Sequence, residues 1–350
     1  MQHTRTTVLL IDATRPELAT IEHAAALLRA GELVIFPTET VYGLGADALQ
    51  PQAVQRIFTA KERALSDPLI VHVANEGALE ALVTNVPAQV RQLTRAFWPG
   101  PLTLVLPASS RVPKLVTAGL DTVAVRMPRH PVALALIQAA GVPIAAPSAN
   151  RFMHVSPTTA QHAVADLDGR VPLVLDAGPC AVGVESTVLD LCSEAPTILR
   201  PGGVSLEALR SVLPDVQAAH KSSSLEEGQK SPGQLLVHYA PTVPAFLFDG
   251  PAEAMRKAML AETQRRRARG EYVGVLIADE DVPAFHSSGA HVYTLGSTLE
   301  QVAARLFAGL RVLEETGVHV ILCRGFERRG LGLAIQDRLL KASGGNVIHL

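Results

Sequence analysis

The sequence LVIFPTETVYGLG, residues 33–45, contains the first strong indication of a buried strand followed by a polar loop. It follows a segment in which Ile21, Ala24 and Leu28 recur at helical spacing and Gly31 supplies a stop. Its first four residues are all apolar, so the pattern predicts a helix that leads into a buried strand. The rest reads as a loop rich in hydroxyl groups and glycine. Taken alone, that loop fits an ordinary glycine turn as well as a site for a polar ligand.

Further short apolar runs predict more buried strands in the first half of the chain. They lie at residues 69–73, 102–106, 123–125, 142–145 and 173–175. Helical stretches separate several of them, which indicates an α/β sheet. Ser156 followed by Pro157 predicts the start of another helix, with the serine as its N-cap.

Composition changes sharply at residues 221–233, a run of Ser, Glu, Gly, Gln and Lys that cannot bury enough apolar area to fold alone. We therefore predict a first domain over residues 1–215, a linker over 216–242 and a smaller second domain over 243–350. In the second domain, strands at 246–248, 273–277 and 318–323 alternate with helices at 252–269 and 299–315. This order is typical of a Rossmann-like α/β unit.

The composition of the chain excludes several classes of protein. The 350 residues are 48% hydrophobic and 18% charged, with a formal net charge of -2, which lacks the basic balance of a dedicated nucleic-acid binder. The three cysteines form no CxxC pair, which argues against a disulfide framework and a thiolate metal site. The apolar runs at 8–11 and 131–147 are too short or too interrupted for a secretory signal or a membrane span. We expect a cytoplasmic protein without membrane contact.

Polar residues recur at the ends of the predicted strands, where open α/β sheets usually bind ligands. Lys61 and Arg63 precede the strand at 69–73 and suit a phosphate or carboxylate, although a solvated helix end explains them equally well. Arg126 ends an apolar strand, which is costly unless it faces an anion. His72 lies inside an apolar strand, and alone it fits a core histidine. Ser148, Asn150, Ser186 and Arg200 are likewise polar residues with apolar residues around them in the sequence.

Eight strings, taken in order, resemble the YrdC-like domain. They are PTETVYGLGADA, KER…DPLIVH, FWPGPLTLVL, DTVAVRMPRHP, PIAAPSAN, SPTTA, GVESTVLD and ILRPGG. The string SPG…HYAP, from Ser231 to Pro241, resembles the linker of the two-domain form of this family, and residues 330–342 are similar to its appended domain. The resemblance implies a twisted, open mixed sheet with helices, joined to the smaller Rossmann-like domain.

The resemblance also implies which residues bind substrates. L-Threonine would contact Thr40, His72, Arg126, the backbone at Ala146, and Ser186. ATP would contact Arg63, Asp67, Thr122, Ser148, Asn150, Ser156 and Arg200, with Tyr239 reaching in from the linker. Lys61 and Asn150 belong to the KxR and SxN signatures of the family. We expect Lys61, Arg63 and Arg200 to be the catalytic cations, because charge accumulates on phosphate oxygens during adenylation.

The implied activity is the synthesis of threonylcarbamoyl-AMP from L-threonine, bicarbonate and ATP, for modification of tRNAs next to the anticodon. Bicarbonate would be a co-substrate, Mg²⁺ would arrive on the ATP phosphates without a protein cage, and a tRNA threonylcarbamoyl transferase would consume the product. The sequence lacks a GxxxxGK[ST] phosphate loop and a Ser-His-Asp or Cys-His set. Catalysis by positioning and electrostatics is therefore expected.

Two positions depart from the family pattern. Asp67 stands where asparagine is common, which places a carboxylate near phosphates. Residues 234–237 read QLLV where basic and aromatic residues are frequent.

Alternatives stay open from sequence alone. A carbamoyl transferase that forms a carbamoyl-adenylate uses the same domain with other partner domains, and a non-catalytic RNA-binding module could also use a basic surface. Cys180 is a candidate nucleophile without a nearby activating cation. The only dense basic cluster is Arg265, Arg266, Arg267 and Arg269, at a predicted helix C-terminus, where cations offset the helix dipole. That role is favoured over direct tRNA binding.

Overall fold

The computed structural model describes residues 5–218 and 239–350, which fall into two compact units. In the described part, unit one contains residues 5–152, 157–181 and 185–218, and unit two contains 153–156, 182–184 and 239–350. Most of the predicted linker, including the QLLV run and His238, lies outside the described residues.

Unit one alternates strands with helices. Its strands are β1 (Thr7–Leu10), β2 (Val34–Phe36), β3 (Gly43–Asp47), β4 (Ile70–His72), β5 (Leu102–Pro107), β6 (Thr122–Arg126), β7 (Ile144–Ala145), β8 (Leu173–Asp176), β9 (Thr187–Asp190), β10 (Thr197–Arg200) and β11 (Gln217–Ala218). Its helices are α1 (Leu18–Arg29), α2 (Pro51–Lys61), α3 (Leu79–Leu82), α4 (Ala88–Phe97), α5 (Lys114–Thr117), α6 (Pro131–Ala140), α7 (Ala160–Leu167) and α8 (Leu206–Val212).

The strands of unit one form one mixed sheet in the order β1-β8-β2-β3-β7-β4-β6-β5-β9-β10-β11. The pairs β4–β6 and β5–β9 are parallel, whereas β5–β6 and β9–β10 are antiparallel. The predicted fold class, an open mixed sheet with helices, is confirmed.

The two faces of this sheet are buried differently. Alternate residues such as Val71, Leu104 and Val125 belong to the largest apolar core of the unit. On the opposite face, α1 and α6 pack over the half of the sheet that contains β2, β7 and β8. That face continues across β4, β6, β5 and β9, where the buried apolar side chains form a small cluster: Ile70, Val105, Ala124 and Val188. The polar residues described below lie on this second half.

Local sequence explains where several elements begin and end. Helix α1 buries the predicted stripe. Helix α6 begins at Pro131 and ends at Ala140, and the φ of 68° at the following Gly141 fits the left-handed C-cap that glycine favours. The N-cap prediction at Ser156 was wrong. Helix α7 begins at Ala160, because Thr159 has an extended backbone and its hydroxyl accepts the N–H of His162 at 3.2 Å.

The loop predicted at 37–45 is also shorter than expected. Residues from Gly43 onward form β3, which pairs antiparallel with β2 through Leu44 and Ile35. Gly45 is required there by packing, since a Cβ atom would lie 2.7 Å from the ring of Phe36. Gly45 therefore allows close packing between the strands, while the polar part of the loop is confined to residues 37–42.

Unit two is a parallel α/β unit. Its strands are β12 (Ala245–Asp249), β13 (Val273–Ile277), β14 (His291–Thr294), β15 (Val320–Arg324) and β16 (Val347–His349), and its helices are α9 (Ala252–Arg267), α10 (Val282–Phe285), α11 (Leu299–Glu315) and α12 (Gly332–Ala342). The sheet order is β14-β13-β15-β12-β16, and every pair is parallel. The Rossmann-like prediction is confirmed. Within the described residues, no helix is both long and apolar enough to cross a bilayer.

Candidate active site

A row of cross-strand neighbours crosses five strands of unit one. His72 on β4 lies opposite Arg126 on β6, and Arg126 lies opposite Thr103 on β5. Thr103 and Arg200 each lie opposite Val188 on β9. Because directly opposite residues project from the same face of a sheet, the register places three of the predicted residues, His72, Arg126 and Arg200, on one face.

Arg126 is buried, with an exposed fraction of 4%, and three contacts hold its guanidinium in place. Its Nη1 donates to the hydroxyl of Thr40 at 2.9 Å, and its Nε donates to the carbonyl of Gly100 at 3.2 Å. Its Nη2 lies 2.8 Å from Oε1 of Glu39. The hydroxyls of Thr38 and Thr40 are 2.8 Å apart, which orders the loop that carries both. A guanidinium held this way is preorganised for an anion.

His72 is a neutral side chain beside that cation. Burial, followed by the positive charge of Arg126, lowers the pKa of His72 to about 3. Its Nδ1 has no hydrogen-bond partner among the described residues. A neutral imidazole with an open ring nitrogen can exchange a hydrogen bond with a hydroxyl group.

Ser186 connects the Arg126 row to Arg200. Its hydroxyl lies 2.7 Å from that of Thr103 and accepts from Nη2 of Arg200 at 3.2 Å. The same Nη2 donates to the Ser186 carbonyl at 3.0 Å. Arg200 is 4% exposed, so its position is set by the protein and not by solvent.

Lys61 ends α2 and lies against the segment that follows β7. Its ammonium nitrogen donates to the carbonyls of Ser148 and Asn150, at 2.5 Å each. Burial, and then the charge of Arg63, lowers the pKa of Lys61 well below its usual range. An anion brought next to this ammonium would favour its charged form, because it would replace lost hydration and offset the neighbouring guanidinium.

Asp67 forms an ion pair with Arg63, so it does not stand as an isolated carboxylate. Its Oδ2 lies 2.8 Å from Nη2 of Arg63, which also donates to the carbonyl of Pro68 at 2.9 Å. Burial raises the pKa of Asp67, and the positive charges of Arg63, Lys61 and Arg200 oppose that rise. Asp67 thus interacts electrostatically with all three predicted catalytic cations, which lowers the cost of burying them.

The remaining predicted residues of unit one sit around this group. Thr122 opens β6 and, four positions before Arg126, shares its face. Ala146 follows β7, and its N–H donates to the carbonyl of Ile70 at 2.9 Å. Ser148 is half-buried, and its carbonyl is one of the two that hold Lys61.

Two predicted ATP residues, Ser156 and Tyr239, belong to unit two. Tyr239 is 1% exposed and has a left-handed φ of 62°. Its ring centroid lies 5.5 Å from that of Phe307, and the guanidinium carbon of Arg338 lies 5.1 Å from the ring centre. Ser156 is fully buried.

Sequence reasoning missed three polar residues of this region. All three lie within strings quoted above; Thr38 was noted only as one of the hydroxyls of its loop, and no feature of Glu39 or Thr103 drew attention to them. Glu39 could have been recognised from the sequence, because a carboxylate that closely follows a buried strand requires a cationic partner. Arg126 is that partner. Cys180, the candidate nucleophile, is buried, and burial raises its pKa. It therefore stays a thiol, which does not suit nucleophilic catalysis.

The arginine cluster on α9 is partly neutralised by acidic neighbours. Arg265 and Arg266 both pair with Glu262, at 2.5 and 2.6 Å, and Arg266 also pairs with Glu271 at 2.8 Å. These contacts, together with the helix C-terminus, give the cluster a structural explanation.

Profiles of two protein families match the chain. The Sua5/YciO/YrdC family, described as telomere recombination, matches residues 26–202. A family described as the C-terminal domain of threonylcarbamoyl-AMP synthase matches residues 204–344.

Similar proteins match over nearly the whole length. A Pyrococcus abyssi protein named threonylcarbamoyl-AMP synthase is 44% identical over 98% of this chain and 100% of its own length. A Bacillus subtilis protein of the same name is 45% identical over 94% of each chain. The crystal structure of P. abyssi Sua5 complexed with L-threonine has a TM-score of 0.93 at 43% identity, covering 98% of this chain and 99% of that one.

Proposed function

The chain belongs to the threonylcarbamoyl-AMP synthase family, and from this we propose that it converts L-threonine, bicarbonate and ATP into threonylcarbamoyl-AMP and pyrophosphate. The product would supply the threonylcarbamoyladenosine modification of tRNAs next to the anticodon. A downstream tRNA threonylcarbamoyl transferase is the expected consumer, and the cytoplasm is the expected location.

The observation that carries the proposal is the burial of four cations within unit one. Lys61, Arg63, Arg126 and Arg200 are each at most 8% exposed. Asp67 and Glu39 pair with two of these cations, and the positive charge that remains is costly to bury unless further anions complete the site. Threonine brings one carboxylate and ATP brings a triphosphate, so the two substrates match the charge that the protein provides.

The threonine subsite would use Thr40, His72, Arg126, Ser186 and the backbone at Ala146. Arg126 would bind the carboxylate, because its guanidinium is oriented by Thr40 and Gly100 before any ligand arrives. Neutral His72, opposite Arg126 in the sheet, is suited to the threonine hydroxyl.

The ATP subsite would use the cations around Asp67 together with polar groups near them. Its proposed members are Arg63, Asp67, Thr122, Ser148, Asn150, Ser156, Arg200 and Tyr239. The Arg63–Asp67 ion pair supports a role for Asp67 in which it orients the guanidinium and does not itself meet the phosphates. Mg²⁺ would be carried by the phosphates and would neutralise part of their charge.

The reaction would proceed in two stages. The threonine amine and bicarbonate give a carbamate with loss of water, and a carbamate oxygen then attacks the α-phosphorus of ATP, expelling pyrophosphate. Lys61, Arg63 and Arg200 would stabilise the negative charge that builds on the phosphate oxygens. Each preset cation of this kind contributes about 100- to 1,000-fold to the rate.

Pyrophosphate release, with mass spectrometry of the adenylate, tests this proposal against two other functions. The synthase requires threonine and bicarbonate together with ATP. A carbamoyl-adenylate-forming transferase would instead require carbamoyl phosphate, and an RNA-binding module would release no pyrophosphate under any condition. Release that is independent of threonine would contradict the proposal.

A further inference from the structure

Glu39 is a buried carboxylate for which the proposed reaction has so far given no role. The residue is 4% exposed, and Nη2 of Arg126 lies 2.8 Å from its Oε1. Despite that distance, neither carboxylate oxygen has a hydrogen-bond donor among the described residues, because the N–H bond is not aligned with the oxygen. A buried carboxylate normally accepts several hydrogen bonds, so Glu39 has unused capacity.

Arg126 has a donor that lacks a well-aligned acceptor. Its Nη1 and Nε donate to Thr40 and Gly100, but its Nη2 has no acceptor with hydrogen-bond geometry among the described residues. The two groups thus form a close ion pair in which Nη2 of Arg126 and both oxygens of Glu39 lack a well-aligned hydrogen bond. Leaving such groups unsatisfied in a buried position is expensive, typically about 1–3 kcal/mol for each neutral group and more for charged ones.

We propose that Glu39 accepts hydrogen bonds from the α-ammonium group of L-threonine while Nη2 of Arg126 binds the α-carboxylate. Glu39 is then a specificity-determining residue that selects an amino acid over an acid lacking the amine. The inference rests on the proposed function, since its ligand is the substrate named there.

The opposite charges of Glu39 and Arg126, and the groups around them, suit zwitterionic L-threonine. Glu39 and Arg126 carry opposite charges, and threonine has no net charge, so binding adds no net charge to a buried region. The third open group nearby, Nδ1 of His72, is available for the threonine hydroxyl. The other titratable groups that interact with Glu39 are Cys180, which stays protonated, and His130, whose pKa is lowered by burial and raised by Glu39.

The test compares L-threonine with (R)-3-hydroxybutanoate, the same molecule with hydrogen in place of the amine. Calorimetry measures the affinity of the full-length protein for both ligands, in the wild type and in Glu39→Gln. Since a hydrogen bond to a charged group contributes about 1.5–3 kcal/mol, threonine affinity should fall about 10- to 100-fold. Affinity for the hydroxy acid should stay the same or rise, so the preference for threonine is lost.

If Glu39 only holds Arg126 in place, Glu39→Gln should lose affinity for both ligands equally, because both bind Arg126 through their carboxylate. An equal loss for the two ligands overturns the inference. Glu76→Gln, at an exposed position just after β4, is the matched control and should change neither affinity. A wild type that does not bind threonine would count against the proposed function itself, which separates the two failures.

If Glu39→Gln does not fold, Glu39→Asp replaces it in the same calorimetric comparison. It keeps the charge but withdraws the carboxylate by one methylene, so threonine should weaken by a smaller factor while the hydroxy acid is unaffected. A proportional change in both ligands would again contradict the role proposed for Glu39.

Discussion

At the scale of single residues, burial determines the protonation of His72 and therefore how the protein responds to acid. The folded pKa of about 3 lies below the ordinary histidine value of 6.5. Below pH 6.5 the unfolded chain binds a proton that the folded chain excludes, so the stabilisation present above pH 6.5 is lost as the pH falls toward 3.

We expect this histidine to remove about 2 kcal/mol from the free energy of unfolding between pH 7 and pH 5. Denaturant unfolding of wild type and His72→Gln across that range measures the difference in slope. The exposed His23 on α1 gives the matched control, His23→Gln, whose slope should equal that of the wild type. Parallel curves for all three proteins would contradict the burial of a neutral imidazole.

The proposed contact between Tyr239 and ATP is best tested with a substitution that keeps the aromatic ring. The sequence alone predicts that Tyr239→Ala weakens ATP binding and leaves the fold intact. Its ring, however, packs against Phe307 and Arg338 within unit two, and truncating a buried aromatic residue typically costs about 3–5 kcal/mol.

Tyr239→Phe keeps the ring and removes only the hydroxyl. If that hydroxyl contacts ATP, nucleotide affinity in calorimetry should fall about 10-fold while the melting temperature changes little. Unchanged affinity would exclude a hydroxyl contact with ATP. Tyr272→Phe, at an exposed position beside β13, is the control.

At the scale of elements, the segment after β10 must approach the segment before β9 closely. A Cβ atom on Gly202 would lie 2.3 Å from the carbonyl oxygen of Glu185 and 2.3 Å from the carbonyl carbon of Ser186. Both are backbone atoms, so they cannot move aside as a flexible side chain could. The contact fixes the strand pair that brings Arg200 to Ser186.

Gly202→Ala should therefore destabilise the protein by about 1–3 kcal/mol and weaken threonine binding as well. Thermal unfolding and calorimetry measure the two effects. At the exposed Gly77, an added Cβ meets only a side-chain oxygen, of Asn75, at 3.3 Å, so Gly77→Ala should change neither quantity. Wild-type behaviour of Gly202→Ala would contradict the close approach.

Elements differed in how well the sequence predicted them, for physical reasons. Helices α1 and α11 and strands β5 and β13 bury continuous apolar stripes or runs, and these were recognised. The strands β14 and β16 were not predicted, since both are at the edges of the second sheet and their residues are largely exposed or half-buried. Composition carries little signal for such strands.

At the scale of the whole molecule, ordered motifs predicted the fold class, while the arrangement of the site depended on strand pairing. His72, Arg126 and Arg200 are far apart in sequence and become neighbours only through the register of β4, β6, β5, β9 and β10. No local pattern encodes that register. The Arg63–Asp67 pair was also invisible in sequence, where Asp67 looked like a carboxylate opposed to phosphates.

We propose that buried cations, preset by the fold, accelerate adenylation. The most direct measurement is the threonine-dependent rate of pyrophosphate release by Arg200→Ala, compared with Arg91→Ala, which removes an exposed arginine from α4. We expect a kcat about 100- to 1,000-fold lower for Arg200→Ala, with the control at the wild-type rate. Equal rates in a folded Arg200→Ala variant and in the control would contradict it.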